Sequence, residues 1–443
     1  MRKLKVLISC PAWLVLLFVC SALSAAPAYA LIRIDINSPG LTKYPIAIPP
    51  FKALGESKEE LKFSKELSQL LSDDLAYTGY FQILGTDSTL QDLSLTGVTE
   101  KDIQFRAWSI IGAEVLVTGG ISVSGDEISL QLRLFDVLRG ERLLGKKYSG
   151  PSATRERMIR RFGNEIIKAL TGFEGALGTR IAFVQGEGKV KDIFAVDFDG
   201  RNIERVTSYN SLTLTPRWSP KGDQLAFTSY KNGNPEVFVK RMDTNTLKLI
   251  SSGAGLNIAP AWSPDGRTLA VTLSKKGREN IFLMDLNGRV VSTITDRWGI
   301  NVSTTWCPDG KKVAFVSNRA GSPQIYMKDL GNGDTRLMTV EGKRNLDPSW
   351  SPRGDRIAFT RSLNGDFHVF SMDCNGGDVQ RLTYAGGLNM SPTWSPDGTM
   401  IAFSSDRAGD LAIHVMNANG SNQRRLTFMK GTQESPSWSP VHD

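Results

Sequence analysis

Asparagine stands four times, at intervals of 44 residues, five residues before a tryptophan in the second half of the chain. Amide and hydroxyl groups offer donors and acceptors, and they lose less solvation than charged groups when a partner covers them. A ring of such groups suits recognition of a peptide or protein loop. The alternative is that each amide bonds the backbone of its own turn. The six positions are Thr213, Asn257, Asn301, Asn345, Asn389 and Gln433.

The neighbouring positions hold too few acids and histidines for catalysis. Three residues before the tryptophans, Asp347 is the one carboxylate among threonine, alanine and serine. One carboxylate cannot form a metal cage or an acid–base pair. His368 and His414 occupy equivalent strand positions, and His442 is near the end of the sequence. The sequence therefore predicts a binding protein that needs no cofactor, no metal and no catalytic group.

A repeated element must position these side chains. Each copy contains a W-S-P-D-G-like turn, an I-A-F-like run, an aromatic-aliphatic run and a short R-L-T-like run, which together predict four antiparallel strands. Proline presets the turn and glycine closes it. Six copies predict a mainly β fold, a six-bladed β-propeller of 44-residue PxWSPDGxxIAF repeats over 176–443. The register is marked by Trp218, Trp262, Trp306, Trp350, Trp394 and Trp438.

We letter the strands of each blade a to d in chain order, with strand a ending at the tryptophan. The a–b and c–d turns then lie on one side, the turn face, and the b–c and d–a loops on the other, the loop face. A last strand a, at the end of the repeats, is predicted to complete the first blade, and the tryptophans are predicted to pack between blades. If strand a is innermost, the amides ring the channel mouth on the loop face. The b–c loops add basic groups for acidic partner residues at Lys231, Lys275, Arg319 and Arg407.

The first 30 residues have the pattern of a secretory signal peptide. A basic start precedes a short apolar run, and Ala28-Tyr-Ala30 forms a cleavage motif, with cleavage predicted after Ala30. A retained membrane anchor is the alternative, but the apolar run is too short to span a bilayer. Cleavage lowers the net charge from +8 to +5. The scattered basic residues argue against nucleic acid binding, and we expect no direct membrane insertion.

Two cysteines follow the predicted cleavage site, Cys307 and Cys374. In an oxidising compartment such a pair is compatible with a disulfide. Cys307, however, replaces the serine of a W-S-P motif, which favours two isolated thiols.

Residues 31–175 lack the 44-residue register and predict a small α/β domain. Helices are expected over 57–77, opened by a capping box at Ser57–Glu60, over about 100–111, and over 154–172. Metal-ligand spacings, a G-x-S-x-G motif and a phosphate loop do not occur in this part of the sequence. The segment 31–41 alternates apolar and polar residues, so it is either an edge strand of this domain or a strand added to a partner's sheet. Its candidate partner-binding residues are Leu31, Ile32, Arg33, Ile34, Asp35, Ile36 and Asn37.

A signal peptide, a small α/β domain and six PxWSPDGxxIAF repeats together resemble the TolB family of the Tol–Pal system. The resemblance covers the whole mature chain. It implies a periplasmic, non-enzymatic adaptor that binds the lipoprotein Pal through the propeller and TolA through the N-terminal segment. It also implies a role in envelope integrity and cell division, with other outer-membrane or peptidoglycan-associated proteins as further partners.

The same resemblance places Pal contacts in the d–a loops. There Ala259 matches the family pattern, whereas Leu256 stands where the family often has histidine. The alternative function is a periplasmic propeller that binds carbohydrate or another small ligand. A third hypothesis is a hydrolase or lactonase.

Overall fold

The computed structural model describes residues 43–55, 57–85, 97–275, 277–295 and 299–441. The predicted signal peptide and the segment 31–41 lie outside the described residues. None of the helices in the described ranges combines the length and apolar character needed to cross a bilayer.

The first part of the described chain is a mixed sheet with helices, as predicted. The central strand β1 pairs in parallel with β3 on one side and β4 on the other, and β4, β5 and β6 form an antiparallel meander. The strands are β1 Tyr44–Ala47, β2 Lys52–Ala53, β3 Phe81–Leu84, β4 Val115–Ser124, β5 Glu127–Asp136 and β6 Glu141–Pro151.

Three helices accompany this sheet: α1 Lys58–Tyr77, α2 Phe105–Ile110 and α3 Arg155–Thr171. Ser57 Oγ accepts a bond from the Glu60 amide (3.1 Å), as half of a capping box requires. The Glu60 carboxylate instead accepts from the amides of Gly55 and Val123, each at 2.8 Å, so it ties α1 to β4. Helix α2 is shorter than expected because Glu100–Asp102 forms a separate 3₁₀ turn.

The remaining residues form six four-stranded antiparallel sheets, which confirms the predicted propeller. The innermost strands, a, end at the tryptophans. They are Thr432–Trp438, Thr213–Trp218, Asn257–Trp262, Asn301–Trp306, Asn345–Trp350 and Asn389–Trp394 for blades one to six. The b strands are Arg180–Glu187, Gln224–Ser229, Thr268–Lys275, Lys312–Ser317, Arg356–Leu363 and Met400–Ser405.

The c strands are Val190–Asp197, Glu236–Arg241, Arg278–Asp285, Gln324–Asp329, Asp366–Asp373 and Ala412–Asn417. The short outer d strands are Glu204–Arg205, Leu247–Ser251, Val290–Thr293, Thr335–Leu337, Gln380–Arg381 and Arg424–Arg425. Blade one takes its strand a from the last strand of the propeller. Trp438 lies opposite Ile181 and Ser437 opposite Ala182, as the repeat count predicts.

The tryptophans pack between neighbouring blades. Trp394 of blade six, for example, belongs to the same hydrophobic cluster as Ala358 and Val369 of blade five. Its indole nitrogen donates to the Ser349 carbonyl (3.0 Å), and Trp262 likewise donates to the Arg217 carbonyl (3.0 Å). Each of these rings therefore joins a strand a to the preceding one, which supports a structural role.

The α/β domain sits on the turn face of the propeller. The Tyr80 hydroxyl donates to the Thr399 carbonyl in an a–b turn (3.2 Å), and Arg353 of another a–b turn stacks on Phe173. At the c–d turn of blade one, Arg160 forms ion pairs with Asp197 and Asp199. The loop face, which carries the candidate binding loops, points away from this domain.

Candidate functional site

The six amide and hydroxyl side chains before the tryptophans are buried. Thr213, Asn301, Asn345, Asn389 and Gln433 are 0% exposed, and Asn257 is 4% exposed. The expectation that they form an accessible ring at the channel mouth is therefore wrong. Their side chains point into the blades because a β-bulge between this position and the tryptophan changes the register of each strand a.

Asn389 illustrates what these amides do. Its nitrogen donates to the carbonyls of Phe367 (3.1 Å) and Ala385 (2.9 Å), so it closes the d–a loop onto the preceding blade. Its oxygen accepts from Ser405 (2.8 Å) and from Arg407 (2.7 Å). Buried polar groups that are fully bonded in this way rigidify a structure.

The pattern repeats around the ring. Asn257 donates to the carbonyls of Gly253 and Gly255 (3.3 Å each), and Gln433 to those of Met429 and Gly431. Asn345 donates to Glu341 O (2.8 Å). We call each such residue with its bonded partners an amide clamp.

The basic residues expected to meet acidic partner groups are also engaged within the propeller. Arg319 donates to Asn301 Oδ1 (2.9 Å) and lies over Phe315 and Tyr326. Arg407 bonds Asn389 and lies over Phe403. Their guanidinium groups thus complete the amide clamps through hydrogen bonds and cation–π contacts.

The two remaining basic residues predicted from the b–c loops are Lys231 and Lys275. Lys231 lies over the rings of Tyr209 and Phe238, at 4.8 and 5.0 Å from their centroids. The side chain of Lys275, the last residue of a strand b, lies outside the described part. Arg361, not singled out from the sequence, donates to Asn345 Oδ1 (2.9 Å) and lies over Phe359 and Phe370. Burial lowers the pKa of Arg361 and of Arg407.

Apolar side chains of the d–a loops, rather than amides, reach the surface of the loop face. Each lies either directly before the amide residue or at the start of the d–a loop. Five of the six are exposed, and Leu256, directly before Asn257, is half-buried. We define the apolar rim as Leu256, Ile300 (47% exposed), Val340 (84%), Tyr384 (72%), Leu388 (36%) and Phe428 (75%).

The central channel holds a cavity of about 470 Å³. It is lined by the residues three before each tryptophan and by the prolines of the a–b turns, so it reaches the turn-face end. Ala259, expected as a partner contact, is one of these lining residues. All six have left-handed backbone: Thr215, Ala259, Ser303, Asp347, Ser391 and Ser435, with φ between 48° and 55°.

This backbone is held by hydroxyls of the preceding blade. The amide of Ala259 donates to Thr228 Oγ1 (3.1 Å), and that of Ser391 to Thr360 Oγ1 (3.0 Å). Left-handed geometry costs a non-glycine residue about 1–2 kcal/mol, so the surrounding bonds must stabilise it.

Neither histidine expected in a strand forms part of a metal site. His368 and His414 are buried in strands c, where His414 packs on Phe403. Burial lowers the pKa of His414 to about 4, so the ring is neutral at pH 7. Among the described residues, no three His, Cys, Asp or Glu side chains are grouped to hold a metal ion. Cys307 and Cys374 are free thiols.

Sequence reasoning named Leu256 but missed the rest of the apolar rim and the role of Arg361. A signal existed for the rim, since the residue before the amide is Leu or Ile in four of the six repeats. For Arg361 the signal was weaker, because its position in the repeat is two residues earlier than the position shared by Arg319 and Arg407.

Two family models match the chain. The model described as the TolB beta propeller domain matches residues 167–442, and that described as the TolB amino-terminal domain matches residues 32–143.

Relatives and a solved structure agree with these matches. A Tol-Pal system protein TolB of Desulfosudis oleivorans is 43% identical over 206 residues, 46% of this chain and 47% of the relative. That of Syntrophus aciditrophicus is 40% identical over 216 residues, 47% of this chain and 48% of the relative. In these alignments the chain spans about half the length of the relatives. The crystal structure of TolB from Acinetobacter baumannii superposes with a TM-score of 0.79 at 28% identity, covering 90% of this chain and 97% of that one.

Proposed function

We propose that this chain, which belongs to the TolB family, is a non-catalytic periplasmic adaptor of the Tol–Pal system. In this proposal the loop face of the propeller binds the lipoprotein Pal, and the N-terminal segment 31–41 binds TolA. By joining the two partners, the protein supports outer-membrane integrity and cell division.

The observation that carries the Pal half of the proposal is the apolar rim. Exposed apolar residues bordered by polar ones are typical of protein interaction surfaces. The rim lies on the face that the α/β domain leaves uncovered. The amide clamps beneath it hold the d–a loops in a defined conformation, so less conformational entropy is lost when a partner binds.

The predicted site residues accordingly have two roles in the proposal. Leu256, at the surface, contacts the partner directly. Asn257, Asn301, Asn345, Asn389, Gln433 and Thr213, together with Arg319 and Arg407, position the loops from within the blades. Ala259 faces the channel, and Lys231 and Lys275 belong to the b–c side of the same face.

Support for the TolA half comes from the pairing of β1. This strand, which begins just after the segment 31–41, already has β3 on one side and β4 on the other. The pairing of β1 therefore does not require the segment, which in this proposal adds as a strand to a partner's sheet. Since the α/β domain sits on the turn face, the two partners engage opposite sides of the molecule.

Binding of the full chain to purified Pal and to purified TolA tests this assignment. We expect L256S and L388S, alone or together, to weaken Pal binding by about tenfold or more without changing TolA binding or the melting temperature. Deletion of 31–41 should remove TolA binding and leave Pal binding intact.

The matched control is L138S, since Leu138 is a 75% exposed leucine on the α/β domain. It should leave both affinities unchanged. The proposal is wrong if the rim variants bind Pal like the parent, or if one variant removes both partners.

A further inference from the structure

The channel carries one cation and one anion on opposite walls. Arg217 belongs to blade two and Asp347 to blade five, which are three blades apart in a ring of six. Both line the cavity. At the position of Arg217 the other blades have smaller residues: Ala261, Thr305, Ser349, Thr393 and Ser437. A guanidinium at this position therefore breaks the six-fold repetition.

The two charged groups bond other atoms. The Arg217 guanidinium donates to the carbonyl of its neighbour Pro216 (2.8 Å). Asp347 accepts from Ser391 Oγ (3.1 Å) and Thr360 Oγ1 (3.4 Å), both at Oδ2. Among the described residues, Arg217 and Asp347 do not form an ion pair with each other within 4.0 Å.

Protein surrounds both groups, although each touches the channel. Burial raises the pKa of Asp347, while the Arg217 charge opposes that rise, and burial lowers the pKa of Arg217. Opposite charges that are partly desolvated and not in contact are stabilised when charged groups of the other sign come between them.

The cavity sets the size and chemistry of such a molecule. Its volume of about 470 Å³ lies in the range of small-molecule sites. Hydroxyls of Thr215, Ser303, Ser391 and Ser435 line the same level as Asp347, and they offer neutral donors and acceptors. An ammonium group suits Asp347 and these hydroxyls, whereas a carboxylate suits the planar fork of Arg217.

We propose that the channel binds a small zwitterion, an amino acid or short peptide with free ends, whose ammonium group meets Asp347 and whose carboxylate meets Arg217. This goes beyond the adaptor function and does not depend on it. Arg217 and Asp347 lie inside the channel, whereas the proposed Pal surface is the apolar rim of the loop face.

Calorimetric titration of the full chain with defined probes tests the proposal. The probes are glycine, L-alanyl-L-alanine, the N-acetylated dipeptide, which lacks the ammonium group, and the dipeptide amide, which lacks the carboxylate. We expect saturable binding of at least one free-ended probe. Either modification of the dipeptide should weaken it by about tenfold to a hundredfold, the value of a hydrogen bond to a charged group.

Two variants assign the groups. In D347N the acetylated and free dipeptides should bind alike, and in R217Q the amide and free dipeptides should bind alike. Asparagine tolerates the left-handed backbone of position 347, so the first change suits the fold. The matched controls are R241Q and D243N, which remove the same charges from an exposed c–d turn and should retain the parental preference.

The proposal is overturned if neither free-ended probe binds saturably, or if acetylation and amidation leave the affinity unchanged. It is also overturned if D347N and R217Q, with parental melting temperatures, keep the parental preferences. Should either variant unfold, the four probes on the parent chain still decide the matter.

Discussion

The two faces of the propeller are stabilised by different chemistry. On the turn face, the α/β domain is joined by a charged cluster centred on Arg160, which pairs with Asp74 (3.2 Å), Asp197 (3.2 Å) and Asp199 (3.3 Å). On the loop face, one neutral amide side chain per repeat bonds backbone carbonyls in five of the six repeats. In the remaining repeat, Thr213 bonds Ser229.

This difference bears on how each face tolerates change. The charged cluster centres on one cation. Losing it leaves Asp74 without an ion pair in the described part of the chain, whereas Asp197 and Asp199 keep Arg180 (3.6 Å) and Arg201 (3.5 Å). The amide clamps are separate units on separate blades, so one can fail while the others persist. Substitutions in one d–a loop should therefore leave the other loops of the loop face intact. At the domain interface, by contrast, a substitution of Arg160 affects all of its partners at once.

The largest effect is expected from R160L. Asp74 is 0% exposed, so removal of the guanidinium leaves a buried carboxyl group without its ion pair, and this group must then either stay charged in the interior or bind a proton. We expect the free energy of unfolding of the transition that includes the interface to fall by about 3–5 kcal/mol. Chemical denaturation, followed with probes on each domain, measures it.

The control for this prediction is R201L. Arg201 pairs with Asp73 (3.2 Å) and with Asp199 (3.5 Å) at the same interface, but its side chain is half exposed and Asp199 keeps Arg160. The change should therefore cost no more than about 1 kcal/mol. Equal losses for the two variants would show that the interface does not depend on one cation.

A smaller effect is expected from N389A on the loop face. The change leaves Arg407 and the carbonyls of Phe367 and Ala385 without their amide partner, and we expect a loss of about 2–3 kcal/mol. The exposed Asn232 of a b–c loop is the matched control, since N232A should stay within about 0.5 kcal/mol of the parent. A change at Asn389 as small as that would mean that the amide clamp adds little stability.

A further effect is a dependence of stability on pH, which is small over any one pH unit. Burial raises the pKa of Asp74 to about 7, against the opposing charge of Arg160. The folded state therefore binds a proton more tightly than the unfolded chain, whose Asp74 pKa is near 4. Stability from this group is present at low pH and is lost as pH rises from about 4 to about 7, by up to about 1.4 kcal/mol per pH unit.

The variant D74N should lose this part of the slope. Denaturation of the parent and of D74N at several pH values, compared as differences, gives the result. Parallel curves would contradict the raised pKa of Asp74.

The architecture was predictable because its signal is repeated. Each 44-residue copy carries the same turn and the same apolar runs, so the sequence specifies the blade six times over. The α/β domain was predictable only in outline. Its helix over 100–111 was expected to be longer than α2, since the sequence shows the periodicity around Trp108 but not the 3₁₀ turn that precedes it.

The candidate site was less predictable, for a definite physical reason. The direction of Asn301 or Asn389 depends on the bulge and left-handed residue that follow it. In sequence that residue appears only as a small or polar side chain, such as Ser303 or Ser391. The spacing therefore identified the right loops but assigned the buried amides, rather than the apolar residues beside them, to the surface. Arg160 was inaccessible to sequence reasoning, since its carboxylate partners come from both domains.

The closure of blade one also has a consequence in time. Its strands b, c and d are made early, but the strand that pairs with Arg180–Glu187 is Thr432–Trp438. While the chain grows from its N-terminus, the inner edge of blade one stays unpaired until the last blade has been made. We therefore expect the ring to assemble late and as a unit, and chains interrupted before 432 to expose a strand edge that can pair with other chains.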